Sequence, residues 1–421
     1  MTGSLVVLLG DRIAGMVSRS ARGVLRFLYA DGYEADATPL SLSMPTQLRS
    51  HPDRAVVPWM QGLLPDNDAV LARWGRQFQV SPSSPFALLS TPVGEDCAGA
   101  VRFVHPDRVD EALGREGKVV WLTDDDVAQR LMELQQDATA WLGSTFAGPF
   151  SLGGAQAKTA LLRENGRWGV PSGSIPTTHI LKPAVDGLDG HDLNEHLCLD
   201  AAHRAGLLVA RSEIFRFADQ TALVVERYDR LHDGTRTVRV HQEDLGQALG
   251  VSPFKKYQNE GGPGVADVAG LLRRSMAASH ADVDVWRFAD ALIWNWVIGG
   301  TDAHAKNYSV LLDGSDVRLA PLYDVASVLP YDVHERKLRL AMKIGGDYHL
   351  FPRRNTWPTA ARDLGLAADA LVERCQQLAS AAPEAFAEAA ATPGVVSVGS
   401  PLPGKLVDLV ADRSARCLQV L

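Results

Sequence analysis

The stretch from residue 295 to residue 327 carries a concentrated set of polar side chains directly after an apolar segment. Asp302, His304, Lys306 and Asn307 come first, and Asp324 follows after a short apolar interval. Magnesium prefers oxygen ligands, so a carboxylate and an amide carbonyl beside a phosphate chain would suffice to hold it. We therefore predict that this stretch supports chemistry on a metal-bound phosphate.

The spacing within the loop supports that reading. Asp302 and Asn307 are five positions apart, as in the protein-kinase catalytic loop, where the Asp takes the hydroxyl proton and the Asn holds magnesium. The alternative is that Asp302 caps a helix and Asn307 fills a turn, because both residue types are common there. His304 and Lys306 either orient the loop and meet phosphate or are simply solvated.

A predicted hairpin returns the chain to this loop. The runs 308–312 and 317–319 flank Asp-Gly-Ser-Asp, which indicates two strands joined by a tight turn. Tyr323 and Asp324 follow, and Asp324 stands where the Asp of a D-F-G motif would stand. We expect Asp324 to be a second metal ligand.

A core helix must position this loop. From residue 283 to residue 298 apolar residues recur at spacings of three and four, which predicts a helix with one buried face. Gly299 and Gly300 follow, and glycine readily takes the positive φ that ends a helix. We predict that Trp294 and Trp296 pack in the core.

A glycine-rich turn provides a second candidate element. Small residues let backbone amides approach phosphate oxygens, and the turn comprises Gly153, Gly154, Ala155, Gln156, Ala157 and Lys158. It does not follow the G-x-x-x-x-G-K-[ST] pattern of a P-loop. The alternative is a plain hairpin between strands, in which Ser151 bonds its own backbone.

The order of the following elements is that of a kinase. Lys182 lies on a strand predicted over 177–183, as does the lysine that a kinase directs at the α- and β-phosphates. A helix opening at Asn194 carries Glu195, a candidate partner for Lys182. The strand 221–227 then leads to the position of an interlobe hinge, where backbone groups would read adenine.

Composition limits the class of protein to which this chain can belong. The chain has 421 residues, 46% of them hydrophobic and 22% charged, which is typical of a globular protein with two or three domains. The net charge of -8 argues against this chain binding nucleic acid by itself. The four cysteines have no metal-ligand spacing, and no apolar run is long enough to cross a membrane. We predict a cytoplasmic protein.

The remaining segments give further secondary-structure predictions. A three-stranded antiparallel meander is expected over 5–29 and a helical stretch over 57–78. Thr123 or Asp124 is expected to cap a helix, and a turn-rich segment at 143–149 follows it. Residues 241–244 are expected to begin a helix, with Glu243 as a cap carboxylate, and the alanine-rich tail 367–391 to form another.

Nine segments of the sequence resemble the HipA family of serine/threonine kinases, the toxin half of a bacterial toxin-antitoxin pair. The family's loop pattern S-x-x-G-A-Q-x-K and its lack of H-R-D and D-F-G motifs are both found here. The resembling segments are GLLPDN (62–67), DCAGAV (96–101), SLGGAQAKTALL (151–162), THILKP (178–183), NEHLCL (194–199), VVERYDR (224–230), HQEDLGQALG (241–250), GGTDAHAKN (299–307) and PLYDVAS (321–327).

The resemblance implies a role for each matching residue. Asp302 would be the catalytic base, Asn307 and Asp324 the Mg²⁺ ligands, and Lys182 the lysine that pairs with phosphate. The loop 153–158 would cover the ATP phosphates. Glu226, Arg227 and Tyr228 would hold adenine, with His304, Lys306 and Tyr323 lining the site. Ser151 would be autophosphorylated, which expels the loop and switches the kinase off.

The resemblance also implies a fold and partners. The expected fold is α+β: a β-rich N-terminal subdomain over 1–110, a kinase-like N-lobe over 111–230 and a helical C-lobe over 231–421. The expected partners are a DNA-binding antitoxin of the HipB type and a protein substrate of translation, such as an aminoacyl-tRNA synthetase, with DNA met only through the antitoxin. Two alternatives remain: a kinase-like corepressor that mainly docks on the antitoxin, and a kinase for a small molecule.

Overall fold

The structure of the protein is a computed structural model. It describes residues 3–143, 150–185, 187–331, 334, 337–351 and 353–421. Most of the turn-rich segment predicted at 143–149 lies outside these residues. Among the described helices, none is both long and apolar enough to span a bilayer.

The N-terminal region is built on an antiparallel sheet with the order β4-β3-β2-β1-β5. The predicted meander is confirmed, because β1 pairs with β2 and β2 pairs with β3. The elements are β1 (Gly3–Leu9), β2 (Arg12–Arg19), β3 (Leu25–Tyr29), β4 (Ser50–Pro52), α1 (Asp53–Gly62), α2 (Asp68–Gln77), α3 (Pro85–Leu89), β5 (Val101–Val104) and α4 (Val109–Gly114).

The helical stretch predicted over 57–78 is broken in two. α1 ends at Gly62 and α2 begins at Asp68, because Asn67 caps the second helix. The Asn67 side chain accepts hydrogen bonds from the amides of Ala69 and Val70 at 3.0 and 3.3 Å. A side-chain acceptor at this position satisfies amides that have no partner inside the helix.

A second antiparallel sheet has the order β10-β11-β9-β7-β8-β6. Helix α5 packs on it through Val127 and Leu131, and a capping box between Thr123 and Asp126 starts that helix as predicted. The elements are β6 (Lys118–Leu122), α5 (Asp124–Gln136), β7 (Thr159–Glu164), β8 (Arg167–Ser172), β9 (His179–Pro183), α6 (His191–Arg204), β10 (Ser212–Phe217) and β11 (Gln220–Glu226).

The C-terminal part is mostly helical around one large core, in which Trp294 and Trp296 are fully buried. The fold is therefore α+β with a kinase-like arrangement, as predicted. The elements are β12 (Arg230–His232), β13 (Thr237–Arg239), β14 (His241–Asp244), α7 (Leu245–Ala248), α8 (Val265–Ser275), α9 (Ala278–Ile298), β15 (Ser309–Asp313), β16 (Asp316–Leu319), β17 (Arg339–Ile344), β18 (Asp347–His349), α10 (Thr356–Leu364), α11 (Ala368–Ala390), α12 (Pro393–Val396) and α13 (Leu402–Leu418).

The helix before the polar loop ends as predicted. Gly299 takes a left-handed conformation with φ of 75°, and its amide bonds the carbonyl of Asn295. A Cβ on Gly300 would lie 2.2 Å from Oδ1 of Asn295, so a larger residue there would displace the Asn295 side chain. The polar loop therefore leaves a rigid core helix at a defined point.

The prediction for residues 241–244 was wrong. They form strand β14, which pairs with β15, and helix α7 starts only at Leu245. Asp244, not Glu243, caps that helix by accepting from the Gln247 amide at 2.9 Å. Glu243 is buried and accepts from the Leu42 amide of the N-terminal region at 2.7 Å.

Candidate active site

The loop after α9 is folded around the backbone of Asp302. The carbonyl of Asp302 accepts from the His304 amide at 2.8 Å and from Nδ2 of Asn307 at 3.0 Å. Residues 305–307 form a short 3-10 turn that buries Asn307, while Asp302 stays exposed. The loop therefore presents the Asp302 carboxylate outward and fixes the Asn307 amide behind it.

The Asp302 carboxylate has one partner from another segment. The hydroxyl of Tyr257 donates to Oδ1 of Asp302 at 2.7 Å. Burial and then this contact raise the pKa of Tyr257, so the phenol stays protonated and acts as the donor. No hydrogen bond between described residues ends on the second carboxylate oxygen.

Asp324 approaches from the other side of the hairpin. Its backbone has φ of 57°, a value that is rare outside glycine and that is held here by its surroundings. The preceding Tyr323 hydroxyl donates to the Lys306 carbonyl at 2.7 Å, which ties this segment to the polar loop. Partial desolvation opposes ionisation, yet Lys182 and Lys158 hold the pKa of Asp324 below its ordinary value.

Lys182 joins two carboxylates at the centre of the site. Its Nζ donates to both oxygens of Glu195 at 2.7 and 3.0 Å and to Oδ1 of Asp324 at 2.7 Å. The predicted pairing of Lys182 with Glu195 is therefore confirmed. Burial disfavours the ammonium, but Asp324 and Glu195 outweigh it and raise the pKa of Lys182.

The glycine-rich loop is not the turn of a hairpin, so that alternative was wrong. Ser151 forms a parallel bridge with Cys97 of the N-terminal region, and the chain enters β7 only at Thr159. Gly154 has φ of 95°, and Nζ of Lys158 donates to the carbonyls of Gly153 and Gln156 at 3.3 and 2.9 Å. Lys158 thus closes the loop from inside.

Lys158 has no carboxylate partner within 4.0 Å among the described residues. Its Nζ lies 4.2 Å from the ring centre of Trp141. Burial and then the charge of Lys182 lower the pKa of Lys158 to about 7. An anionic ligand at this loop would supply the missing counter-charge.

Ser151 lies at the base of the loop and is fully buried. Its amide donates to the Asp96 carbonyl at 2.8 Å, and its hydroxyl donates to the Leu63 carbonyl at 2.7 Å. The hydroxyl therefore bonds a distant backbone group rather than its own turn. Any modification of Ser151 requires that this segment first leave its position.

His304 is a buried residue of the loop that packs beside Tyr257. Burial lowers the pKa of His304, and the charge of Asp302 opposes that shift. The ring packs edge-on against Tyr257 with centroids 5.1 Å apart. Its buried Nδ1 has no hydrogen-bond partner among the described residues.

The candidate hinge is largely occupied by internal contacts. The amides of Glu226 and Arg227 donate to the carbonyls of Arg211 and Thr178, each at 2.9 Å. The Arg227 guanidinium is buried against Asp229 at 2.9 Å. The Arg227 carbonyl accepts from the Arg230 amide at 3.2 Å, so the amide, the guanidinium and the carbonyl of Arg227 all have partners within the chain.

Tyr228 and Lys306 also make internal contacts. The ring of Tyr228 lies 5.6 Å from that of Tyr323, and its hydroxyl donates to Gln242 at 2.5 Å. Nζ of Lys306 is buried beside Asp244 at 2.8 Å and lies 3.7 Å from Asp66. Asp244 and Asp66 overcome the effect of burial and raise the pKa of Lys306, which stays charged.

The donor set at the loop fits a magnesium ion that also binds phosphate oxygens. Nδ2 of Asn307 donates to the Asp302 carbonyl, and no hydrogen bond between described residues ends on Oδ1 of Asn307. The Asp324 side chain is 40% exposed and has one oxygen without the Lys182 contact. The described residues contain no group of three His, Cys, Asp or Glu ligands, so phosphate oxygens and water would complete the six-coordinate shell.

Comparison with known families decides the identity. The HipA-like C-terminal domain matches residues 150–386, and the HipA N-terminal domain matches residues 5–104. The chain belongs to the HipA family. Both matched ranges contribute to the site, since Leu63 and Asp66 lie in the N-terminal range and the candidate catalytic loop lies in the C-terminal range.

Individual HipA relatives cover nearly the whole chain. A putative kinase, Y4mE, of Sinorhizobium fredii is 33% identical over 96% of both chains. The serine/threonine-protein kinase toxin HipA of Shewanella oneidensis is 30% identical over 90% of this chain and 88% of its own length. A solved Shewanella oneidensis complex of HipA, HipB and operator DNA contains a chain with a TM-score of 0.80 and 26% identity, covering 99% of this chain and 96% of that one.

Three residues of this HipA chain reach the site without having been singled out from the sequence. Tyr257 bonds Asp302, while Asp66 and Asp244 flank Lys306. Asp66 lies in the GLLPDN segment, which supported the family resemblance but received no role. Neither Tyr257 nor Asp244 belongs to a spacing pattern that would link it to a loop so far along the chain.

Proposed function

We propose that this chain is a toxin kinase that transfers the γ-phosphate of ATP to a serine or threonine hydroxyl of a protein. The observation that carries the proposal is the bridge from Glu195 through Lys182 to Asp324 beside the Asp302–Asn307 loop. A lysine held by one carboxylate is ready to pair phosphate oxygens. A second carboxylate with a free oxygen is suited to the metal that accompanies them.

Each residue has a role in the proposed reaction. Asp302 would accept the proton of the attacking hydroxyl, with Tyr257 holding the other oxygen in place. Lys182 and Lys158 would neutralise the phosphates, and the loop 153–158 would surround them. Asn307 and Asp324 would hold Mg²⁺, which supplies positive charge at the transferred phosphoryl group. The carbonyls of residues 226–228 would meet adenine.

The proposal extends to partners and regulation. Support comes from the relative named as a serine/threonine-protein kinase toxin and from the match to HipA in a complex with HipB and operator DNA. We propose a cytoplasmic toxin, bound by a HipB-type antitoxin that contacts DNA, which phosphorylates a translation protein such as an aminoacyl-tRNA synthetase. Autophosphorylation of Ser151 would add negative charge to a loop that must receive ATP, and would inhibit the enzyme.

A second candidate function is corepression, in which the kinase body mainly docks on the antitoxin. The match to a chain seen with HipB and DNA over 99% of the present sequence favours it. Antitoxin binding and DNA shift assays on Asp302→Asn would test this role separately, because that substitution leaves the surface intact.

The test of the kinase proposal is transfer from labelled ATP in a cell extract, with Asp302→Asn as the matched variant. We expect transfer to fall by about 10²–10⁴-fold in the variant, with Mg·ATP affinity little changed, because Asn cannot take the proton. Growth inhibition should be lost in parallel, and peptide mass analysis of the wild type should find phosphate on Ser151. Equal transfer by both proteins would contradict the assignment of the base.

A further inference from the structure

The segment Gly62–Asn67 runs from the last residue of α1 to the cap of α2, and we call it the N-terminal clamp. It forms three hydrogen bonds with the glycine-rich loop and with Ser151 at the base of that loop. The Leu63 carbonyl accepts from the Ser151 hydroxyl at 2.7 Å. The Asp66 amide donates to the Gly154 carbonyl at 2.9 Å, and Nδ2 of Asn67 donates to the Ala155 carbonyl at 3.4 Å. These contacts hold both the base and the tip of the loop.

The same clamp also holds the catalytic side of the cleft. Nζ of Lys306 donates to the Gly62 carbonyl at 3.3 Å, and the Asp66 carboxylate lies 3.7 Å from Lys306 and 3.6 Å from Lys256. Lys256 precedes Tyr257, whose hydroxyl bonds Asp302. The Asp66 side chain is only 9% exposed, so little water competes for these charges.

We infer that the N-terminal clamp is a positioning element of the nucleotide site, which sets how firmly the glycine-rich loop is held against the catalytic loop. The N-terminal region is then a working part of the kinase. Loop movement that exposes Ser151 must break all three clamp contacts, so the clamp also sets how often that hydroxyl becomes accessible. The predicted effect on ATP binding rests on the proposed function, whereas the claim that the clamp holds the glycine-rich loop does not.

Asn67 permits a selective test because its side-chain atoms Oδ1 and Nδ2 make different contacts. Its Oδ1 caps α2, and its Nδ2 reaches Ala155. Asn67→Asp keeps a good helix cap, removes the donor and sets a negative charge against a carbonyl. Asn67→Ser also keeps a cap but is too short to reach Ala155, so it checks that the added charge is not the cause.

The first readout is amide hydrogen exchange of the full chain without nucleotide. In Asn67→Asp and Asn67→Ser we expect exchange at the amides of Asp66 and Ser151 to rise roughly threefold to fivefold, the effect of losing one modest hydrogen bond. Ser84→Ala is the control, because it removes the cap of α3 in the same region. Unchanged exchange in both Asn67 variants, or an equal rise in the control, would overturn the inference.

Asp66→Asn tests the link to the catalytic side, since it removes the charge that faces both lysines. Exchange at the amides of His304 and Asn307 should rise in this variant, because both amides donate within the loop that carries Lys306. Unchanged exchange there would refute the claim that the clamp joins the two loops.

The second readout connects the clamp to nucleotide. Calorimetry with Mg²⁺ and a non-hydrolysable ATP analogue should give a roughly threefold to fivefold weaker affinity in Asn67→Asp, and kinetics should show a raised KM for ATP with kcat little changed. Equal affinity of the variant and the wild type would overturn the nucleotide part of the inference. Absence of nucleotide binding in the wild type would instead refute the proposed function. The hydrogen-exchange data would still decide whether the clamp holds the glycine-rich loop.

Discussion

Two buried charge clusters in this protein differ in how fully their charges are paired. In one, which we call the interdomain cluster, Asp96 lies 3.0 to 3.5 Å from Arg227, Arg230 and Arg239. Asp229 lies 2.9 and 3.1 Å from Arg227 and Arg230. The Thr177 hydroxyl donates to Oδ2 of Asp96 and the Gly99 amide donates to Oδ2 of Asp229, each at 2.7 Å. This cluster is closed and joins the N-terminal region to the segment after β11.

The other group, which we call the cleft cluster, consists of Lys158, Lys182, Glu195, His304 and Asp324. Among the described residues, Lys158 has only carbonyl and ring partners and the buried Nδ1 of His304 has no hydrogen-bond partner. The Asp324 side chain is partly exposed. Burying charge is costly unless the charge is paired. The two clusters therefore both concentrate charged groups and differ in how completely those charges are paired.

The largest effect should come from opening the closed cluster. Asp96→Ala leaves Arg227 and Arg230 sharing Asp229 and removes the carboxylate beside Arg239, so we expect the free energy of unfolding to fall by about 3–5 kcal/mol. Denaturant unfolding followed by circular dichroism measures it. A loss below about 1 kcal/mol would mean that the interdomain cluster is not the structural device described here.

A smaller effect of a different kind should come from the cleft cluster. Lys158→Met removes a buried cation that lacks a carboxylate partner, so stability should stay within about 1 kcal/mol of the wild type or rise. Affinity for Mg·ATP should fall at least about tenfold, equal to about 1.4 kcal/mol. If this variant instead lost stability and kept its affinity for nucleotide, the distinction between the clusters would be refuted.

The smallest effect concerns the protonation state of Lys158. Burial lowers the pKa of Lys158 to about 7, so at pH 8 its amine is mostly neutral in the free protein. Phosphate beside it favours the ammonium and raises the pKa again, so nucleotide binding at this pH should take up as much as one proton. Calorimetry in buffers of different ionisation enthalpy measures the uptake. Lys158→Met should abolish it, and uptake that persists in the variant would assign the proton to another group.

Features set by neighbouring residues were predictable from the sequence. The end of α9 at Gly299, the hairpin of β15 and β16, and the Thr123 cap follow from local patterns. The strand β14 was missed because polar residues at 241–244 resemble a helix start, and only pairing with β15 decides otherwise. Local patterns describe the chain within a few residues and carry no information about distant pairing.

The same limit applies to the site. Asp302, Asn307 and Asp324 were proposed as site residues because they follow one another in a short stretch with kinase spacing. The contacts of Leu63 with Ser151 and of Asp66 with Lys306 join residues 88 and roughly 240 positions apart, and no spacing pattern links them. The GLLPDN segment was visible only as a family motif, without a physical role.

The most direct test of the central claim is an experimental structure of the chain with Mg²⁺ and a non-hydrolysable ATP analogue. The account predicts a metal bound by Oδ1 of Asn307 and the Asp324 carboxylate, with the triphosphate between Lys182 and the loop 153–158. A nucleotide bound elsewhere, or a metal that contacts neither Asn307 nor Asp324, would contradict it.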